Sequence, residues 1–151
     1  MSEERIRQFW TSFRTRHPEV PEQPPDAFHF CDNEADANVC ADLVVTGRKV
    51  ATATSLAELE IAGLPPPSPG DLAIITDFSG RPRAVIRTTS VEVRRFAEID
   101  AEFARSEGEG DLSLAWWRDA HRAYYRRVLS GSGISVDDGL LIACERFEVV
   151  P

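Results

Sequence analysis

Lysine is nearly absent from this sequence. Of its 17 lysines and arginines, Lys49 alone is a lysine. Acidic residues outnumber basic ones 25 to 17, for a net charge of −8. A protein that grips long nucleic acid through many phosphate contacts is usually basic. Any such contact here is expected to be short and local, or the ligand to be a small molecule. Cysteine is scarce as well: Cys31, Cys40 and Cys144 make no CxxC pair, and His17, His29 and His121 are scattered. That spacing excludes a zinc site and a disulfide framework, and buried thiols in a reducing cytoplasm are the expectation. No apolar run approaches the roughly 18 residues of a membrane span, so no membrane partner is expected. The start, Met1-Ser2-Glu3-Glu4-Arg5, is polar and acidic, unlike a secretory signal. Internal repeats and low-complexity segments are missing too.

What is present centres on the one lysine. Thr46-Gly47-Arg48-Lys49-Val50-Ala51-Thr52-Ala53-Thr54 reads as a helix stop followed by a short strand. In a strand, Val50, Thr52 and Thr54 point to one face and Ala51 and Ala53 to the other. One face carries hydroxyls beside the ammonium, and the other is small enough for close packing. The plainer alternative is a surface lysine before a Thr-rich strand.

Around this stretch, residues 3–16 read as an amphipathic helix capped by Ser2, with Ile6, Phe9, Trp10 and Phe13 at helical spacing. A proline-rich connector follows, and Phe28-His29-Phe30 reads as a short buried extension. A second helix starts at Asp32 or Asn33, carries Ala35, Val39, Cys40, Leu43 and Val44, and stops at Gly47. Ser55-Leu56-Ala57-Glu58 is a capping box for a third helix that ends at Gly63. Residues 72–78 and 83–93 form a hairpin turned at Ser79-Gly80. Asp100 caps a short helical turn, and Glu107-Gly108-Glu109-Gly110-Asp111 is an acidic, glycine-spaced loop. Asp111 is expected to cap the longest helix, about 112–129, whose core face is Leu112, Ala115, Trp116, Ala120, Ala123 and Tyr124. Trp117, His121 and Tyr125 form a neighbouring stripe, and Arg118, Arg122 and Arg126 a basic one. The last strand runs from Leu140 to Val150. Such a pattern predicts an α+β fold with a curved sheet or small β-barrel flanked by helices. Residues 1–31 form a helical extension and connector packed on a domain over 32–151.

Three stretches together resemble the ASCH domain, a PUA-like family: Gly47 to Thr54, Gly70 to Asp77, and Ala104 to Arg118 with His121 following. The closing Cys144-Glu145-Arg146-Phe147-Glu148-Val149 is also like the family's last strand. The resemblance implies a cleft of RNA or nucleoside size opening at the lysine turn. Some larger members act as ribonucleases. Small bacterial members remove the acyl group from N4-acetylcytidine with a Lys, a Thr three residues later and a downstream Glu, which fall here on Lys49, Thr52 and Glu107. Glu109 could take the place of Glu107.

Three functions follow from that resemblance. The first is a hydrolase cleaving single-stranded RNA at the Lys49 cleft. The second is an N4-acylcytidine amidohydrolase using Lys49, Thr52 and Glu107, and the third a non-catalytic module binding RNA or a nucleoside. In the deacylase, Thr52 attacks the carbonyl, Lys49 takes its proton or stabilises the oxyanion, and Glu107 protonates the leaving amine. Arg48, Thr54, Glu109, Trp117 and His121 are the candidate substrate-binding residues, Trp117 and Tyr125 by stacking on a base. Glu107, Glu109 and Asp111 would suit a hard cation, although an acidic solvated loop explains them too. No cofactor is expected, apart from a divalent cation if the chain is a ribonuclease.

Overall fold

Two long strands carry the architecture in the computed structural model, which describes residues 2–151. β4 (Pro82–Arg95) and β5 (Leu141–Val150) pair antiparallel along most of their length, with a register shift between Thr88 and Ser90. β3 (Leu72–Thr76) joins β4 on one side, and β1 (Ala27–Phe28) adds to β3 in parallel. On the other side β2 (Ala51–Ser55) pairs antiparallel with β5. The sheet is mixed, five-stranded and ordered β1-β3-β4-β5-β2. The helices are α1 (Ser2–Arg16), α2 (Glu34–Val45), α3 (Leu56–Ala62), α4 (Ala101–Ser106) and α5 (Leu114–Val128), with a single 3-10 turn at Phe96–Glu98.

Strand alternation sorts the apolar side chains to two faces. Ile74 and Val85 turn toward α1, where they pack with Trp10 and Phe13. Their neighbours Ile75, Ala84 and Ile86 turn the other way, against Cys40 and Val44 of α2 and against Phe30 and Phe147. A third cluster seats Trp117 and Tyr125 of α5 on Phe96, Phe103, Ala51 and Ile142.

Several boundaries follow the capping chemistry read from the sequence. Asn33 accepts from Asp36 N at 2.9 Å to start α2, and Gly47 follows that helix at φ 79°. The Ser55–Glu58 capping box is complete, and Gly63 ends α3 in the left-handed region. Other expectations need correction. Ser2 lies inside α1 rather than capping it. β1 holds two residues only, and Phe28 is exposed while Phe30 is buried. The cap of α5 is Ser113, which accepts from Trp116 N; Asp111 accepts from Ser113 N instead and tightens the turn before it. α5 is also rotated by about one residue, or ~100°, from the expected face. Trp117 and Tyr125 are buried, whereas Leu112, Ala115, Trp116 and Ala123 are exposed. Burying the larger aromatic pair against Phe96 and Phe103 decides this orientation. Leu112, at φ 71°, stands before the helix and not on it.

Candidate functional site

The turn after α2 delivers Lys49 inward. Arg48 N and Lys49 N both donate to Leu43 O, at 2.9 and 3.0 Å, while Val50 N donates to Ser106 O at 2.9 Å. The chain is thus pinned on both sides of the lysine before β2 begins. Lys49 is 1 % exposed, one of the few buried charged residues. Its ammonium donates to Ala51 O at 2.9 Å, to Glu109 Oε2 at 2.7 Å and to Glu107 Oε1 at 3.4 Å. Nζ also stands 5.0 Å from the centre of the Phe30 ring. An ammonium has three donors, so every one is engaged. Burial works against the charge, but Glu107 and Glu109 outweigh it and hold the Lys49 pKa above its ordinary value. The two carboxylates thus favour the charged form of Lys49.

Both glutamates of the acidic loop reach the lysine, and they differ in kind. Glu107 is 1 % exposed. Its second oxygen accepts from Trp117 Nε1 and pairs with His121 Nε2 at 2.9 Å. Burial pushes this carboxyl up, yet Lys49, His121 and Trp117 together bring it well below the usual range. His121 Nδ1 lies 2.9 Å from Trp117 O, so both ring nitrogens donate only if the imidazole is protonated. Burial opposes that proton, but Glu107 prevails and raises the His121 pKa. The His121 ring stacks on Trp117 with centroids 4.0 Å apart. Glu109 is the more accessible partner and has the shorter contact to Lys49.

Glycine makes this loop possible. A Cβ on Gly108, at φ 71°, would stand 2.6 Å from Arg48 O, and one on Gly110 would stand 2.2 Å from the Trp116 ring. Only glycine lets the loop close over the lysine turn.

The site opens into a cleft of about 470 Å³. Thr52 and Thr54 line it together with Lys49, Glu107, Glu109 and His121, and Phe28, Phe30, Trp116 and Tyr124 add aromatic surface. Trp117 and Arg48 do not line it: Trp117 is core, and Arg48 points to solvent. Trp117 reaches the site through Glu107 and His121. Asp111 stands apart from the carboxylate pair. Among the described residues two sets could ligate a cation, Glu107, Glu109 and His121, and Cys31, Cys40 and Glu109, each with ligand atoms within 4.8 Å of one another. A cation entering there would compete with the ammonium of Lys49.

One residue of the site escaped sequence reasoning. Glu145 on β5 is the register partner of Thr52 on β2, lines the same cleft, and accepts from Thr88 Oγ1 at 2.7 Å. Burial raises its carboxyl above the ordinary value. The signal was a carboxylate directly after the apolar run Leu141-Ile142-Ala143-Cys144.

The family model of the ASCH domain matches residues 26–151. The chain belongs to the ASCH-domain family, as the lysine turn, the Gly70 strand and the acidic loop together implied. An ASCH domain of known structure from Lactobacillus crispatus JV V101 is 34 % identical, with 97 % of this chain and 94 % of that one aligned at a TM-score of 0.86. A protein from Enterococcus faecalis V583 is 32 % identical over 97 % of this chain and 88 % of that one, with a TM-score of 0.88. No protein of curated function matches the sequence.

Proposed function

We propose that the protein is an amidohydrolase acting on an N4-acylated cytidine, with the Lys49 cleft as its active site. The observation that carries this reading is the charge of the cleft. Six carboxylates line it, from Asp32, Asp36, Glu58, Glu107, Glu109 and Glu145, against Lys49, His121 and Arg127. A phosphodiester chain entering such a cleft meets more negative than positive charge. A neutral nucleoside does not, and aromatic walls suit its base. The spacing Lys49-x-x-Thr52 with Glu107 downstream, like that of the small deacylating members, agrees with this.

Because Lys49 is charged, its part is to stabilise the oxyanion rather than to take a proton. Thr52 Oγ attacks the acyl carbonyl and its proton passes to Glu109; the Lys49 donor that Glu109 held is thereby released and turns to the oxygen that gains charge. Glu109 then protonates the departing exocyclic amine, and water hydrolyses the acyl-threonine with Glu109 again as base. Glu107, saturated by Trp117, His121 and Lys49, positions the lysine and keeps it charged.

A ribonuclease acting on short single-stranded RNA is the second reading, favoured by the aromatic surface of Phe30, Trp116 and Tyr124. One experiment separates the two. An RNA oligonucleotide bearing a single N4-acetylcytidine, and free N4-acetylcytidine, are incubated with the protein and read by intact mass. Loss of the acetyl group from free N4-acetylcytidine, with the oligonucleotide left uncut, is expected, with Lys49→Ala slower by about 10²–10³-fold. Shortened chains that vanish with Lys49→Ala would replace the deacylase with a ribonuclease. Untouched substrates would reduce the site to a binding module.

A further inference from the structure

The structure brings together two cysteines that the sequence keeps apart. Cys31 Sγ and Cys40 Sγ lie 3.3 Å from each other. Cys31 sits between β1 and α2 at φ 67°, a conformation uncommon outside glycine, and Cys40 is on the buried face of α2. Both line the cleft, and Cys31 is the more accessible of the two. Cys40 and the partly buried Cys31 pack in the same cluster as Phe30, whose ring faces the Lys49 ammonium.

We propose that Cys31 and Cys40 are a reversible oxidation site, closed to an intrachain disulfide by a peroxide, and that this bond tethers the Phe30 wall of the cleft to α2. The geometry needs little: the two sulfurs already touch across the turn that leads into α2 and the first residues of that helix. Cys31, open to the cleft, is the residue a peroxide reaches first. Its thiolate attacks one peroxide oxygen, the O–O bond breaks, and Cys31 becomes a sulfenic acid while one water leaves. Cys40 sulfur then attacks Cys31 sulfur; the S–S bond forms, the S–O bond breaks, and a second water leaves. Two thiols lose two electrons, and one peroxide is reduced to two waters. The contact with Cys31 and burial push the Cys40 thiol up, so Cys40 is not the first to react; in the second step the contact between the sulfurs brings it to attack, and its proton leaves with the departing hydroxide as water. Cys144, buried in another cluster, has no part in the pair.

The test uses the full chain and a Cys144→Ala variant, each titrated with hydrogen peroxide. Intact mass is expected to fall by about two daltons in both, reversibly with a dithiol reductant, with a peptide joining Cys31 to Cys40. Cys31→Ser and Cys40→Ser should each abolish the loss. Amide exchange over residues 28–32 should slow on oxidation. A gain of oxygen at Cys31 without the two-dalton loss, or disulfide-linked dimers, would overturn the proposal. So would a zinc ion retained one-to-one by the reduced protein and released on alkylation of the thiols, since Cys31, Cys40 and Glu109 would then be a metal site. Unchanged exchange over 28–32 in the oxidised chain would overturn the tether. None of these readouts depends on the deacylase reading.

Discussion

At the scale of residues, the site is a buried charge cluster in which each member sets the ionisation of the next. Lys49→Met leaves Glu107 and Glu109 without their cation, and removing one partner of such a pair costs about 3–5 kcal/mol. Denaturant unfolding should show that loss, and Lys49→Met with Glu107→Gln should recover part of it, because the two sites couple. Stability should also depend on pH in two limbs. Glu107 is depressed in the fold, so its contribution is complete above its ordinary 4.5 and is lost as the pH falls below that. His121 is raised, so its contribution is complete below its ordinary 6.5 and is lost as the pH climbs through the raised value. Unfolding curves from about pH 3 to about pH 9 should fall away at both ends, and His121→Gln should remove the alkaline fall. The lysine and the hydroxyl face of its strand were legible in the sequence itself, and the roles of Thr52, Glu107 and Glu109 came from the resemblance to the ASCH domain. The ionisation of Lys49 was legible in neither, because it depends on two carboxylates some sixty positions away.

Elements place these residues by means of caps and glycines. Ser113→Ala should cost about 1 kcal/mol as the lost cap of α5, while Asp111→Ala should cost less; thermal melts of both variants check which of them starts the helix. Gly108→Ala should destabilise by more than the ~1 kcal/mol of an ordinary left-handed glycine, since its Cβ meets the Arg48 carbonyl. Gly131→Ala, at φ 79° with open space around it, serves as the reference. The capping motifs were readable one residue at a time, because the Ser55–Glu58 box and the Asn33 and Asp100 caps are local chemistry. The rotation of α5 was not. Helical spacing shows two candidate stripes on α5, and the choice between Trp116 and Trp117 is made by Phe96 and Phe103, which lie elsewhere in the chain.

For the whole molecule, the arrangement of strands decides what the site can be. α1 covers one face of the sheet through Trp10 and Phe13, so Trp10→Ala should cost about 3–5 kcal/mol in denaturant unfolding while leaving the lysine cluster intact. The strand inventory could be read from alternation, but the order β1-β3-β4-β5-β2 could not, since pairing β2 with β5 depends on contacts across most of the chain. That order has a mechanical consequence. β1 and β2 are the two outer strands, yet Phe28 on one and Thr52 on the other border the same cleft. The open sheet thus brings residues of both free margins to one cleft, which Lys49 also lines. A ligand filling that cleft would touch both margins. Its arrival should stiffen the sheet as a whole, so that force applied to pull the margins apart meets more resistance when the cleft is filled.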